Sequence, residues 1–458
     1  MLRWLGMLAF VGLSVLAFAA CAKEERAPWF DPLQYRSDPL REALDRGESD
    51  LLRCNISEED CQVMLFEAVS DARGTSGPRP PTRIVSPEEF EDRLRSLGVS
   101  APPPTLLRML SLLGMLSPDL TGDAVFEGSV AGILAAYFFD DNDVLVIDWG
   151  MDMDSEEASL TLAHEYTHAL QDADRDLTAL YKNVDTTDEA EGLLGLTEGE
   201  AELYATLVVA GSVTQSTSRW KRLRSSVIET ALASPAPFFI ADTYFPYTMG
   251  HEFSAFTWLD GGSEAIAKLY DDIPDSSRRI LADAGAKAPS GGWTEALNDT
   301  TDGNVPAGFH VVELDTGDGS TTLEDSFGAW ILHVFLEQLA ADTGSGEVRT
   351  PDESVAMQLR GDRVIAFERD DAMVVVWRMR FESDVDPGDV VAEIQNAAPE
   401  QFRVREEAGD VLLFAGEPAD ALDEFAVQFS LPNGNGGGTQ TGTPQARRSW
   451  RPPAMSGL

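Results

Sequence analysis

The first strongly patterned stretch of the chain, "SPEEFEDRLRSLG", reads as a helix. Ser86 can cap it, Pro87 suits its first position, and Glu89 completes a capping box. After "APPPT", the run Leu106 to Leu116 is apolar on most sides and predicts a buried helix whose Leu and Met side chains are core. Between Gly132 and Gly150, "GILAAYFFDDNDVLVIDWG" predicts two strands joined at Asp140–Asp143, an acidic turn without EF-hand spacing. An amphipathic helix follows in "DSEEASLTLAHEYTHALQD", with Asp154 or Ser155 as cap and acidic residues in its first turn. A second long helix is expected over 187–211, and further helices around 216–233, 248–259 and 262–271. Beyond about residue 350 the pattern turns β-rich, with hairpins expected around Asp370-Asp371 and around Glu407–Asp410. No internal repeat is visible.

Composition adds one outlier. Seventy-eight acidic against 34 basic residues leave a net charge of −44, which repels phosphate backbones and argues against a nucleic-acid partner. The N-terminus adds an address. "MLRWLGMLAFVGLSVLAFAAC" has Arg3, an apolar run from Trp4 to Ala20, then small residues before Cys21, the layout of an export signal. Its end resembles a bacterial lipobox, with Phe18 where Leu is usual. That resemblance implies a signal peptide over 1–20 and a mature chain lipidated at Cys21, held to a membrane outside the cytoplasm. Residues 21–84 are expected to be a polar tether, and Cys54 and Cys61 a local disulfide in an oxidising compartment. The Gly/Pro-rich end, 432–458, is expected to be disordered.

The chemistry lies in His164-Glu165-x-x-His168. Two His four apart on a helix share one face, about 6 Å between Cβ atoms, close enough to hold one Zn²⁺. With only five His in the chain, a chance match has an expectation of roughly 0.4%. Thirty residues on, "LTEGEAELY" offers a third ligand. Glu198 would complete a two-His, one-Glu set with an open position for water, Gly199 would let its helix come close, and Glu202 would orient a ligand His. Glu202 as the ligand is the alternative, and Glu200 reads as a solvated acidic residue. Glu165 is placed to take a proton from the water. His310 and His333 carry no motif.

"HEYTHALQD" followed by "EGEAE" resembles the gluzincin metallopeptidases of thermolysin-like architecture, and more closely the bacterial exported proteins marked by His-Glu-Tyr-Thr-His-Ala-Leu-Gln-Asp-Gln. Ala173 stands where that family has its last Gln. The likeness extends over roughly residues 85–430, through "FPYTMGHEFSAFTWLDGG" and "LRGDRVIAFERDDAMVVVWRMRFES". It implies zinc on His164, His168 and Glu198, Glu165 as base, and a strand of the 132–149 pair as the edge that holds an extended peptide. It also implies an oxyanion stabiliser, for which Tyr247 and His251 are the candidates, packing being the favoured role for both. The expectation is an α+β, gluzincin-like zinc peptidase core over 85–300 with a C-terminal α+β region over 301–431. Its substrate would be a peptide or protein. The rivals are a metallohydrolase acting on another amide or ester, and a partner- or cell-wall-binding lipoprotein with a structural metal clip.

Overall fold

The computed structural model describes residues 52–431, apart from 131–132, 212–216, 283–291, 296, 298–303, 316–319, 343–347 and 352–353. The expected signal peptide, Cys21 and the C-terminal tail lie outside the described residues.

The first half is helical around a small sheet. Helix α1 (Glu59–Arg73) is followed by β1 (Thr82–Val85), α2 (Pro87–Ser96), α3 (Pro104–Leu112) and α4 (Gly122–Val130). Strands β2 (Ala135–Phe138) and β3 (Asp143–Ile147) lead into α5 (Glu156–Arg175), α6 (Leu177–Lys182) and α7 (Thr187–Val209). Helices α8 (Thr217–Ala233) and α9 (Pro237–Phe245), a π-helical turn (Pro246–Gly250), α10 (His251–Leu269) and α11 (Ser277–Leu281) complete this half. The two helices expected around 248–259 and 262–271 are the two arms of α10, separated by a kink at Gly261–Gly262, where the backbone is not helical and Gly262 adopts φ 65°.

The second half is built on an antiparallel sheet. After the short strands β4 (His310–Val311), β5 (Glu313–Asp315), β6 (Ser320–Thr322) and β7 (Glu324–Asp325) comes α12 (Gly328–Asp342). Then hairpin β8 (Leu359–Arg369) and β9 (Ala372–Phe381) is followed by α13 (Pro387–Ala397). Hairpin β10 (Phe402–Glu407) and β11 (Asp410–Glu417) is followed by α14 (Ala419–Gln428). Both expected hairpins are present, and their turns use Asp370 and Ala408-Gly409 at positive φ. A hairpin–helix unit thus occurs twice, although the sequence shows no repeat. The sheet runs β10-β11-β9-β8-β4, with β7 also paired to β8. Alternation turns Val364, Val375 and Trp377 into the main core and Ile365, Val374 and Phe414 onto α14.

The stretch 52–84, expected as part of the tether, is instead folded onto the body. Its polar residues mask an apolar face, Leu65, Phe66, Ala68 and Val69, which is fully or nearly buried. Phe66 meets Tyr166 of α5 edge-on at 5.4 Å. Cys54 and Cys61 are joined by a disulfide, and β1 pairs in parallel with β3. The small sheet is therefore three-stranded, in the order β1-β3-β2, with β2 at its edge.

Helix α7 is buried along nearly its whole length. It is started by a capping box between Thr186 and Glu189, and it passes its neighbours at backbone contact. A Cβ on Gly199 would stand 2.2 Å from the Gly250 carbonyl, and one on Gly250 would stand 2.3 Å from the Gly195 carbonyl oxygen. No rotamer relieves a clash with backbone. Gly199→Ala is expected to lower unfolding free energy by about 3 kcal/mol or more, at or above the top of the usual overpacking range, in chemical denaturation.

Asp188, in the first turn of α7, reaches both halves: its amide donates to Ser326 O at 2.9 Å and its carboxylate bonds α11. Its Oδ1 accepts from the Ser277 amide at 2.8 Å and the Ser277 hydroxyl at 2.5 Å. Burial, only partly offset by Ser277 and reinforced by nearby Asp362, pushes its pKa up to about 7 from 3.8. A carboxyl with a raised folded pKa is most stabilising when protonated, so its contribution is full below pH 3.8 and falls as pH rises through 7. The loss is on the order of 4 kcal/mol, about 3 pKa units. Asp188→Asn should therefore gain stability relative to wild type as pH rises from about 4 to about 8, read as the difference in melting temperature at each pH.

Candidate metal centre

Helix α5 brings both His of the motif inward because the Ser155 side chain caps it, accepting from the Ala158 amide at 3.0 Å, and because residues 161–171 are buried throughout. Helix α7 crosses α5 with Glu198 opposite. His164 Nε2, His168 Nε2 and Glu198 Oε2 form a nearly equilateral triangle, 3.0 Å between the nitrogens and 3.0 and 3.1 Å from each to the oxygen. Three corners of a tetrahedron with bonds of about 2.0–2.1 Å would lie about 3.3 Å apart, so the triangle is close to the size a small cation needs. Two imidazole nitrogens and one carboxylate oxygen are the donor set of a catalytic zinc. Among the described residues this is the one buried His/Cys/Asp/Glu group able to hold a metal ion.

The partners of the triangle are also in place. His164 Nδ1 faces Glu202 Oε1 at 3.3 Å, without the alignment of a full hydrogen bond. His168 Nδ1 meets Gln171 Oε1 at 2.8 Å. Gln171 lies inside the motif stretch, yet its part is invisible in the sequence because its other partners come from α7. Glu202 sits beside the triangle and Glu198 within it.

Glu165 is 3% exposed and does not belong to the triangle. Its Oε2 accepts from the Tyr137 amide of β2 at 2.7 Å. The Ile147 amide donates to Leu134 O, so the antiparallel ladder turns Leu134 toward β3 and Ala135 and Tyr137 toward the free edge. The Tyr137 hydroxyl then donates to Asn142 Oδ1 at 2.8 Å and approaches Asp172 Oδ2 at 3.2 Å. Edge strand and motif helix are stitched together through one residue.

Tyr247 stacks on His164, centroids 5.8 Å apart, and its phenol hydrogen-bonds to Glu198. The π-helical turn that carries it is the segment pressed against Gly199. His251, one turn on, lies outside the triangle with its ring edge-on to Trp220 at 5.0 Å. Of the two oxyanion candidates, then, Tyr247 is beside the ligands and His251 packs on an aromatic. His310 is exposed and paired with Glu368 at 3.3 Å, and His333 is buried in α12. Glu200 departs from expectation. It is 1% exposed, not solvated, because Arg73 arrives from α1 to pair with it at 2.8 Å.

Charge is held in a definite balance. Burial alone would lower the imidazoles, but Glu198 and Glu202 outweigh it and hold His164 well above its ordinary value, and Glu198 raises His168. Burial would raise Glu198, yet the two imidazoles hold it well below the usual carboxylate range. Glu165 goes the other way, pushed up by burial against the pull of both His. Burial and the surrounding carboxylates push the Tyr247 phenol well up, keeping it a neutral donor.

Comparison of the chain with protein-family models, curated proteins and solved structures gives no match. The likeness to gluzincins therefore rests on the motif residues and on this geometry. Supplied with zinc, wild type is expected to retain about one ion per chain, in keeping with a single three-ligand set. Glu198→Ala should lose most of it, read by elemental mass spectrometry after dialysis.

Proposed function

We propose that the chain is a zinc-dependent peptidase of the gluzincin type. The observation that carries this reading is the pairing of a His–His–Glu triangle with a separate carboxylate, Glu165, hung on the amide of an edge strand. A zinc ion held by His164, His168 and Glu198 would supply a water of lowered pKa and an electrophile for a carbonyl oxygen. The chain's own residues do the rest. Glu165 keeps Oε2 on the Tyr137 amide, so Oε1 remains to take a proton from water and return it to the leaving amine. Burial pushes its carboxyl pKa up, the direction that favours taking and returning a proton. Tyr247, neutral and beside Glu198, would turn its hydroxyl from that carboxylate to a developing oxyanion. The outer edge of β2 offers the amide and carbonyl of Ala135 and the carbonyl of Tyr137, on which an extended peptide would pair.

The same reading places the enzyme outside the cytoplasm, lipidated at Cys21, with peptides or proteins as substrates and no nucleic-acid partner. One observation favours a structural clip instead: His164, His168, Glu165 and Glu198 are all nearly inaccessible. A clip, however, has no use for a carboxylate beside its ligands.

Glu165→Gln separates the two. The variant should keep its zinc and its melting temperature while hydrolysis of a mixed peptide library falls by about 10²-fold or more. Hydrolysis at the wild-type rate would remove Glu165 from the chemistry. Wild-type cleavage of esters but not peptides, blocked by a chelator, would move the assignment to another hydrolase class.

A further inference from the structure

A chain of hydrogen bonds runs from α1 to the metal triangle, and its direction can be worked out from donors and acceptors alone. Gln171 Nε2 donates to the Thr197 carbonyl at 2.8 Å and to Glu200 Oε2 at 2.9 Å. Both partners are acceptors only, so the amide cannot be turned round without setting oxygen against oxygen. Its Oε1 must then face His168 Nδ1, at 2.8 Å, and that nitrogen must carry the proton. A neutral imidazole protonated at Nδ1 presents a lone pair at Nε2, the atom in the triangle. Glu200 is in turn held as a two-oxygen acceptor. Oε1 takes the Arg73 Nε–H at 2.8 Å, and Oε2 takes the Tyr270 hydroxyl at 2.5 Å as well as the Gln171 amide. Arg73 is fixed from the other side by Asp174 and Thr75.

We infer that Arg73, Glu200 and Gln171 are positioning residues that fix the Nδ1–H tautomer of His168 and so aim its Nε2 at the metal. The inference rests on the metal-site reading above and extends it to residues that touch no ligand but His168. It gives the folded segment 52–84 a task at the centre, because the chain of bonds begins on α1. A structural role alone would ask only that Glu200 be neutralised. The fixed orientation of Gln171 is what a tautomer requires.

The test uses the full chain, labelled with ¹⁵N-histidine and freed of metal, at a pH alkaline enough to keep the imidazole neutral. In wild type the His168 spectrum should show a protonated Nδ1 and an unprotonated Nε2. Gln171→Met keeps volume but has neither acceptor nor donors, and should allow the Nε2–H form. It should also weaken zinc binding by roughly 10- to 100-fold, the usual effect of losing such a partner, measured by competition with a chromophoric chelator. Should that variant fail to fold, Glu200→Gln serves in its place. A single acceptor oxygen cannot serve Arg73, Tyr270 and Gln171 together, so the Gln171 amide is left with the Thr197 carbonyl alone to orient it, and both readouts should shift the same way by a smaller amount. An Nε2–H tautomer in wild type would overturn the inference, as would an unchanged tautomer and unchanged zinc affinity in a folded variant. Wild type with the Nδ1–H tautomer but no affinity for zinc would instead overturn the metal reading.

Discussion

Helix α7 buries carboxylates, and the rest of the structure is arranged around that cost. Glu191, Glu198, Glu200 and Glu202 are all less than a tenth exposed, and an uncompensated buried carboxylate is expensive enough to unfold a domain or to take up a proton instead. Glu198 is compensated by two imidazoles, Glu200 by a guanidinium and a phenol. Compensation demands partners at fixed positions, so α5, α1 and α10 are held in register with α7. Glycine does the complementary work. At Gly199 and Gly250 two backbones touch, which brings the π-helical turn and Tyr247 onto the same carboxylate group.

The same economy explains the edge strand. Glu165 would be another costly buried anion, and the Tyr137 amide is its compensation. Because that amide points away from β3, it is available without breaking the ladder. The strand and the helix are thereby fixed at a mutual distance, and the carboxylate stays clear of the ligand triangle. The C-terminal sheet enters only indirectly. Asp362 accepts from the Phe327 and Gly328 amides and the Trp377 indole, which fixes the start of α12 beside Asp188 and the first turn of α7.

Much of this was legible in the sequence where the signal is local. The motif His and Glu165 lie within one and a half turns of one helix, and their spacing alone puts them together. The hairpins at 370 and 408 advertise themselves through turn residues between β-rich runs. Glu198 was readable as a carboxylate thirty residues past His168, in "LTEGEAELY" on the following long helix. What was not legible depends on contacts across the chain. Glu200 reads as solvated until Arg73, 127 positions earlier, is known to arrive. Arg73 reads as part of a tether because the apolar face of α1 is diluted by acidic residues and followed by "RPPTR". Gln171 stands in plain view, three residues after His168, but its amide is oriented by atoms of α7. An α+β region was expected over 301–431, but its helices α12, α13 and α14 were not located.

The way the chain enters the body carries a mechanical consequence. The Leu52 amide bonds Val209 O at the far end of α7, about 16 Å along the helix from Glu198 at 1.5 Å per residue. Two residues later the disulfide bridges Cys54 to Cys61, inside the first turn of α1. A pull on the preceding residues would first load that hydrogen bond, the buried Leu52 side chain and the Arg53–Glu156 pair. It would then cross the sulfurs and bypass residues 55–60, which could not unravel one by one. The load would reach the first turn of α1, with Arg73 at that helix's other end. Tension on the residues before Leu52 and the geometry around Glu200 are thereby in series.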